Sequence, residues 1–327
     1  MWLEWPRHFG TTTLDSTAGF PEPIRAAQAA GGPPTLSADT PTGNASVLVR
    51  YWGTRGSIPS PGPDTVVFGG NTPCVEVLAL GRRWILDAGT GIRSLGSNLL
   101  GGTEPVAGAV LLSHYHWDHI QGLPFFSPLY RSGTSLTVVG PRVDALGPSE
   151  VMERLLAPAH FPISSERIEA NLETMEIGER TFEIDGAAVS VFPARHARGT
   201  VGFRLEVSGR SICYVPDNEL VGGHYEESAD WLAGFEEFVG DADLLIHDAM
   251  FTQSEYGAVE GWGHSTVEQA VAVALSAGVK RLALFHHAPD RTDEAIIDMV
   301  SRCRQELIHS GDGLKVWAAR ESETDVL

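Results

Sequence analysis

The run His114-Tyr115-His116-Trp117-Asp118-His119 constrains this chain more than any other feature. Three imidazoles and a carboxylate at H-x-H-x-D-H spacing can hold two divalent cations side by side, and few loops offer so many ligand atoms at once. Residues 109–113, Ala-Val-Leu-Leu-Ser after Gly108, carry no helical period and read as a buried strand. The histidines therefore fall where a rigid strand passes into a loop, which restricts side chains better than a mobile loop would.

Two cations need more ligands than this run offers. Three further apolar runs of strand length lead to metal-type residues: 189–193 to His196, 211–216 to Asp217, and 282–285 to the adjacent His286 and His287. Neutral imidazole and carboxylate suit zinc, manganese and iron(II) alike, so donor type leaves the metal open.

In order as well as identity, these motifs resemble those of the metallo-β-lactamase superfamily of binuclear metallohydrolases, from about Val47 onward. Asp87-Ala88-Gly89-Thr90-Gly91 resembles the family's first motif, whose Asp orients the metal loop. Residues 114–119 resemble the second, His196 the third, Asp217 the bridging carboxylate and His286 the final histidine. The resemblance implies one cation on His114, His116 and His196 and another on Asp118, His119 and His286, with Asp217 bridging both. His286 is preferred to His287 because it directly follows the apolar strand; the residues alone leave that register open. The fold implied is α/β, a four-layer αββα sandwich with its metals at one rim between the sheets.

A closer branch is suggested by Asp243-Leu244-Leu245-Ile246-His247-Asp248-Ala249 and Gly263-His264-Ser265-Thr266. These resemble the paired His-Glu-Ala-Thr and His-Ser-Thr motifs of the phosphodiesterase branch that includes tRNase Z. Asp248 stands where that branch has Glu, so its carboxylate reaches one methylene less far toward His264. Residues 53–59, Gly-Thr-Arg-Gly-Ser-Ile-Pro, resemble the same branch's glycine-rich turn.

The resemblance implies a hydroxide shared by two cations and attacking a phosphorus bound in line. His264, held by Asp248, is the candidate proton donor to the leaving alkoxide, and Asp118 counts as catalytic as well as ligating. Ser265 and Glu268 read as a capping box before apolar residues at helical spacing, which places His264 just outside a helix N-terminus.

Blander readings apply elsewhere. His247 reads as a strand-end residue, Arg55 as solvated, Asn71 as a tight turn, and Trp117, Phe125 and Phe126 as core packing before pocket wall. His160, His224 and His309 carry no supporting context.

Composition narrows the partners. With 23 basic and 42 acidic residues the chain carries −19, a field that repels polyanions and favours a small or cyclic phosphodiester over nucleic acid. No run approaches a membrane span, and three distant cysteines suggest no disulfide framework, so a cytoplasmic protein is expected, with a homodimer left open. Residues 1–46 read as a flexible extension rich in Pro, Ala, Gly and Thr, and 47–327 as one domain, within which 141–178 reads as a pocket-shaping insertion.

The leading reading is thus a hydrolase using two divalent metal ions, zinc before manganese or iron(II), on a small phosphodiester. A tRNA 3′-end endonuclease is the alternative within hydrolases; no basic, Gly/Pro-rich arm for gripping tRNA is evident. A mononuclear-iron oxidoreductase of the sulfur dioxygenase kind is the alternative from another class.

Overall fold

The computed structural model describes residues 46–102, 104–163, 165–222 and 229–327. The extension expected over residues 1–46 lies, but for Ser46, outside the described residues, as does His224.

Two seven-stranded sheets dominate. The first holds β1 (Leu48–Gly53), β2 (Cys74–Ala79), β3 (Arg82–Leu86), β4 (Ala107–Leu111), β5 (Ser135–Gly140) and β6 (Asn171–Glu176). The second holds β7 (Thr181–Ile184), β8 (Ala187–Pro193), β9 (Val201–Val207), β10 (Arg210–Val215), β11 (Leu244–Asp248), β12 (Arg281–Phe285) and β13 (Lys315–Ala318). The chain then returns to the first sheet as β14 (Thr324–Val326), antiparallel to β1.

Among the described residues seven α-helices join them: α1 (Gly91–Leu100), α2 (Trp117–Ile120), α3 (Pro148–Leu155), α4 (Ala229–Val239), α5 (Gln253–Val259), α6 (Val267–Ser276) and α7 (Asp293–Ser310).

The layering follows from the two-residue period of a strand, which sends successive side chains to opposite faces. Trp84, Leu86, Ala109 and Leu111 of the first sheet meet Phe203, Leu205, Ile246 and Phe285 of the second in a central core. Their neighbours Ile85 and Val110 turn outward onto Ile92 and Leu95 of α1 and Val151 of α3. On the far side Leu245, Leu282 and Leu284 pack on Phe235 of α4, Val273 of α6 and Ile296 of α7. The result is the four-layer αββα sandwich. Strands covered on both faces must be apolar at nearly every position, which is why β4, β11 and β12 show continuous runs instead of alternation. Cys303 lies in the α7 core with Val300 and Leu307, and all three cysteines are buried free thiols.

Strand direction then sets where chemistry can collect. β3, β4 and β5 run parallel, as do β10, β11 and β12, so the carboxyl ends of each set line one edge. Asp87 directly follows β3, Asp248 ends β11 and His286 directly follows β12. Loops leaving such an edge are the usual seat of ligand sites in open α/β sheets.

The segment expected as an insertion, 141–178, is divided. Its helix α3 covers the first sheet, and its strand β6 extends that sheet by parallel pairing with β5. Its turn near Val143 reaches the loop after His196, where Asp144 pairs with Arg198 at 2.9 Å.

Candidate metal centre

The loop after β4 delivers His114 from extended chain and His116, Asp118 and His119 around the short α2, for which His116 is the N-cap. Four loops from elsewhere bring His196, Asp217, His264 and His286 to the same place. Ligand atoms of His114, His116, His196 and Asp217 all lie within 4.8 Å of one another, as do those of Asp118, His119 and His286. The structure brings all seven of these residues together, and the ligand atoms of a third set, Asp217, His264 and His286, lie equally close. Asp217 stands between them. Its Oδ1 is 3.1 Å from His119 Nε2 and 3.2 Å from His286 Nε2, while Oδ2 is 3.3 Å from His196 Nε2 and 3.7 Å from His114 Nε2.

Whether these residues suit a cation is tested by their hydrogen bonding. His114 Nε2, His119 Nε2 and Asp217 Oδ1 are buried with no hydrogen-bond partner. The His119–Asp217 contact is short, yet neither it nor the 3.2 Å approach of His119 to Asp118 is aligned as a hydrogen bond. Buried polar atoms left unpaired cost roughly 1–3 kcal/mol each. Atoms that crowd together without pairing point at a shared centre instead of at one another, and nitrogen and carboxylate oxygen are borderline-metal donors. The residues fit a metal group.

The tautomers are fixed from behind. Asp87, wholly buried at a left-handed φ of 59°, accepts His119 Nδ1 at 2.7 Å, Ser113 Oγ at 2.8 Å and Tyr214 OH at 2.8 Å on one oxygen. Its other oxygen accepts the Ser113 amide at 2.7 Å. Ser113 Oγ, having donated its proton, accepts His114 Nδ1 at 3.0 Å. One carboxylate thus turns the Nε2 atoms of two imidazoles toward the cluster, the outer-shell support that metal-binding histidines require. His196 Nδ1 donates to Gly263 O at 2.9 Å, leaving its Nε2 facing Asp217.

The electrostatics divide the imidazoles. Burial holds His114 well below its ordinary value, lowers His116 and takes His196 down to about 4, so these three stay neutral and ready to ligate. Burial also opposes a charged His119, but Asp217, Asp118 and Asp87 outweigh it and raise that imidazole well above its ordinary value. Asp217, despite burial, is held well below the carboxylate range by His119, His286, His196 and His114. A cation at this site must displace the His119 proton. Zinc added to metal-free protein at pH 7 should accordingly release protons, seen as binding heats that vary with buffer ionisation enthalpy. Heats independent of buffer would contradict that assignment.

His286 occupies the left-handed region, at φ 59°, and its ring lies over Gly56. A Cβ on Gly56 would sit 2.5 Å from the His286 ring atoms. Gly56→Ala should push His286 away from Asp118 and Asp217, weaken metal binding by at least tenfold, and cost about 1–3 kcal/mol as an overpacked site. Metal titration and thermal unfolding of the variant check both. His287 faces elsewhere: buried, it donates from Nε2 to Ala319 O at 2.9 Å. The structure places His286, not its neighbour, in the cluster.

His264 stacks on His286, ring centroids 4.9 Å apart, and its Nδ1 donates to Asp248 Oδ2 at 2.7 Å. The shorter carboxylate reaches because Asp248 ends β11 and is itself anchored by the amides of Asn218 and Met250. Burial lowers the His264 pKa, but Asp248 overrides it and, with Asp217 and Asp118, takes it up to about 9. The helix behind it is capped one residue later than expected. Thr266 and Gln269 form the box of α6, since Ser265 Oγ is already committed to Asn218 O at 2.6 Å.

Three sequence readings are corrected. Arg55 is not solvated: it is fully buried and donates to the carbonyls of Gly69, Ala288 and Arg291, tying the glycine-rich turn to the loop after His286. Asn71 does more than turn the chain, bonding Glu321 by both its amides and accepting Thr90 Oγ1. Phe126 is core, but Trp117 and Phe125 are 64% and 56% exposed. His247 is, as expected, a buried strand-end residue, bonded to Asp248 O and Asn218 Nδ2.

Sequence reasoning missed Glu219. Wholly buried, it accepts Tyr256 OH at 2.5 Å, Gly261 N at 2.8 Å and Gly263 N at 3.0 Å. It thereby clamps the loop that carries His264 and supplies the carbonyl behind His196. The one available signal was an acid two residues beyond Asp217; its backbone partners leave no trace in sequence.

Comparison with known proteins agrees with this geometry. Residues 82–287 match the family model described as the beta-lactamase superfamily domain. Among curated relatives, ribonuclease Z of Bradyrhizobium diazoefficiens is 25% identical over 297 residues, covering 78% of this chain and 94% of that protein. Among solved structures, the metallo-beta-lactamase fold protein YhfI of Bacillus subtilis aligns with TM-score 0.62 at 16% identity, over 86% of this chain and 99% of its own. Human tRNase Z, short form, aligns with TM-score 0.59 at 20% identity, over 85% and 98%.

Proposed function

The chain belongs to the beta-lactamase superfamily and is an enzyme of its hydrolase type; from that premise we propose that it is a binuclear metal-dependent phosphodiesterase acting on a small or cyclic phosphodiester. The observation that carries this reading is the convergence of two ligand groups on Asp217, with the His264–Asp248 pair against His286. His114, His116 and His196 would hold one divalent ion and Asp118, His119 and His286 the other, zinc being favoured by the imidazole-rich set. When bound, such a pair supplies Lewis-acid charge and a hydroxide near neutral pH.

The chain's own groups do the rest. Asp87 fixes the imidazole tautomers, and Asp118, held by the Ser57 amide at 2.8 Å, keeps a carboxylate oxygen 3.2 Å from both His119 and His286. His264 Nδ1 stays bonded to Asp248, so Nε2 is the atom that can carry a proton to a departing alkoxide.

Protein loaded with zinc or manganese should hydrolyse bis(p-nitrophenyl) phosphate and contain about two metal ions per chain. One iron per chain with no phosphodiester cleavage would overturn the reading in favour of mononuclear-iron oxidation. A second reading, tRNA 3′-end endonuclease, is supported by the ribonuclease Z relatives. The net charge of −19 weighs against it. Cleavage of a precursor tRNA at nanomolar enzyme would reverse that preference.

The compartment follows the same reasoning. Among the described residues no helix is long and apolar enough to cross a membrane, and three buried free thiols suit a reducing cytoplasm.

A further inference from the structure

Beside the cluster, on the side of His264, lies a cavity of about 490 Å³. His264 and Ser57 line it where it meets the candidate centre; Met250, Phe251, Trp262, Ala288, Pro289 and Asp290 are among the residues that form the rest. That volume falls in the range of small-molecule pockets, roughly 300–1,000 Å³. Its walls are mainly apolar, and aromatic rings lead from the rim to the candidate proton donor. Phe251 meets His264 edge to face at 6.1 Å and Trp262 edge to face at 6.4 Å. Trp262 is 65% exposed, an indole face left to solvent on a loop that Glu219 holds rigid at Gly261 and Gly263.

Charge decides what such a cavity accepts. Among the described residues no lysine or arginine lines it, and apart from His264 the one ionisable side chain there is the exposed carboxylate of Asp290. A group bearing its own phosphate would be repelled there, whereas a flat, uncharged ring would stack on the indole.

We propose that this cavity is the leaving-group subsite, and that it takes the aromatic ring of an unphosphorylated nucleoside stacked on Trp262. The inference rests on the phosphodiesterase reading for the direction of catalysis, since His264 protonates the oxygen that departs. It makes Trp262 the residue that selects substrate: nucleoside phosphodiesters with a single phosphate are accepted, and leaving groups carrying further phosphates are not.

Two measurements test it separately. Calorimetric titration of metal-free protein with adenosine reads the subsite without any chemistry. Trp262→Ala should weaken adenosine about tenfold or more, while Trp262→Phe, which keeps a stacking face, should stay within about threefold of wild type. Adenosine titrations that coincide for wild type and Trp262→Ala overturn the proposal. With metal-loaded protein, kcat/KM for adenosine 2′,3′-cyclic phosphate is compared with that for glycerol 1,2-cyclic phosphate, which has the same five-membered phosphodiester and no base. Wild type should prefer the nucleoside by about tenfold or more, and Trp262→Ala should erase that preference. Equal losses on both substrates overturn the proposal. If adenosine binds at Trp262 but neither cyclic diester nor bis(p-nitrophenyl) phosphate is cleaved, the subsite stands and the phosphodiesterase reading falls.

Discussion

Asp217→Ala should reduce bound metal from two ions per chain to one or none and lower phosphodiester hydrolysis by at least about three orders of magnitude, the scale of the charge stabilisation a divalent pair supplies. No other residue touches both ligand groups in this way. Its two oxygens approach four imidazoles, two from each group, at 3.1 to 3.7 Å. Without it Asp118 still faces His119 and His286 at 3.2 Å, but the carboxylate that reaches both groups, and would hold two dications close, is gone. A thermal readout is independent of turnover. Metal binding to the folded state alone raises the melting temperature by mass action, by about 2.7 kcal/mol of stability at a hundredfold excess over Kd. Wild type should show that rise on adding zinc, and Asp217→Ala should lose most of it. Elemental analysis and melting curves with and without chelator check both statements. A variant that still binds two ions and turns over normally would remove Asp217 from the bridging position.

How far the sequence foretold this arrangement depends on what kind of interaction sets each part. The central strands were legible because burial on one or both faces imposes apolar side chains at a fixed period, as in Ile85 and Leu86 facing opposite cores. The edge strand β6 was not. Asn-Leu-Glu-Thr-Met-Glu is one-third acidic and mostly exposed, and only its pairing with β5 makes it a strand. β14 likewise owes its existence to β1, far away in sequence. At the site, side chains that converge through strand ends could be anticipated, since each follows an apolar run. Side chains whose partners are backbone groups could not. Glu219 answers to the amides of Gly261 and Gly263, and Arg55 to three carbonyls, none of which a sequence displays. The shifted cap of α6 has the same origin, because Ser265 was claimed by the Asn218 carbonyl before it could serve the helix. Trp117 escaped for the opposite reason. A tryptophan beside a metal loop is ordinarily packed, yet Trp117 at the start of α2 is 64% exposed.

His264→Ala should lower kcat by about 10²- to 10⁴-fold, the usual worth of a positioned general acid, while leaving metal content at the wild-type level. His264 lies within 4.8 Å of Asp217 and His286 but is held by Asp248, so the split between turnover and metal content separates a proton donor from a ligand. The pH dependence carries the sign. In the metal-free fold the imidazole is raised to about 9, with Asp248 opposing the effect of burial. A donor must be protonated, so activity is retained below its pKa and lost as pH rises through it. Cations held in the cluster would repel the imidazolium and bring that alkaline limb below 9. Asp248→Asn removes the carboxylate that favours the proton and should move the limb further down, by one unit or more, with a smaller loss at the optimum than His264→Ala causes. The metal-free protein gives a second expression of the same linkage. Stability contributed by the His264–Asp248 pair is fully present below the unfolded imidazole value near 6.5 and disappears as pH rises through about 9, so the melting temperature should decline over that window in wild type and less in Asp248→Asn. A substrate whose leaving group needs no proton, p-nitrophenolate, should be far less sensitive to His264→Ala than a cyclic diester that expels an alkoxide. Equal losses on the two would assign His264 to placing His286 and not to proton transfer.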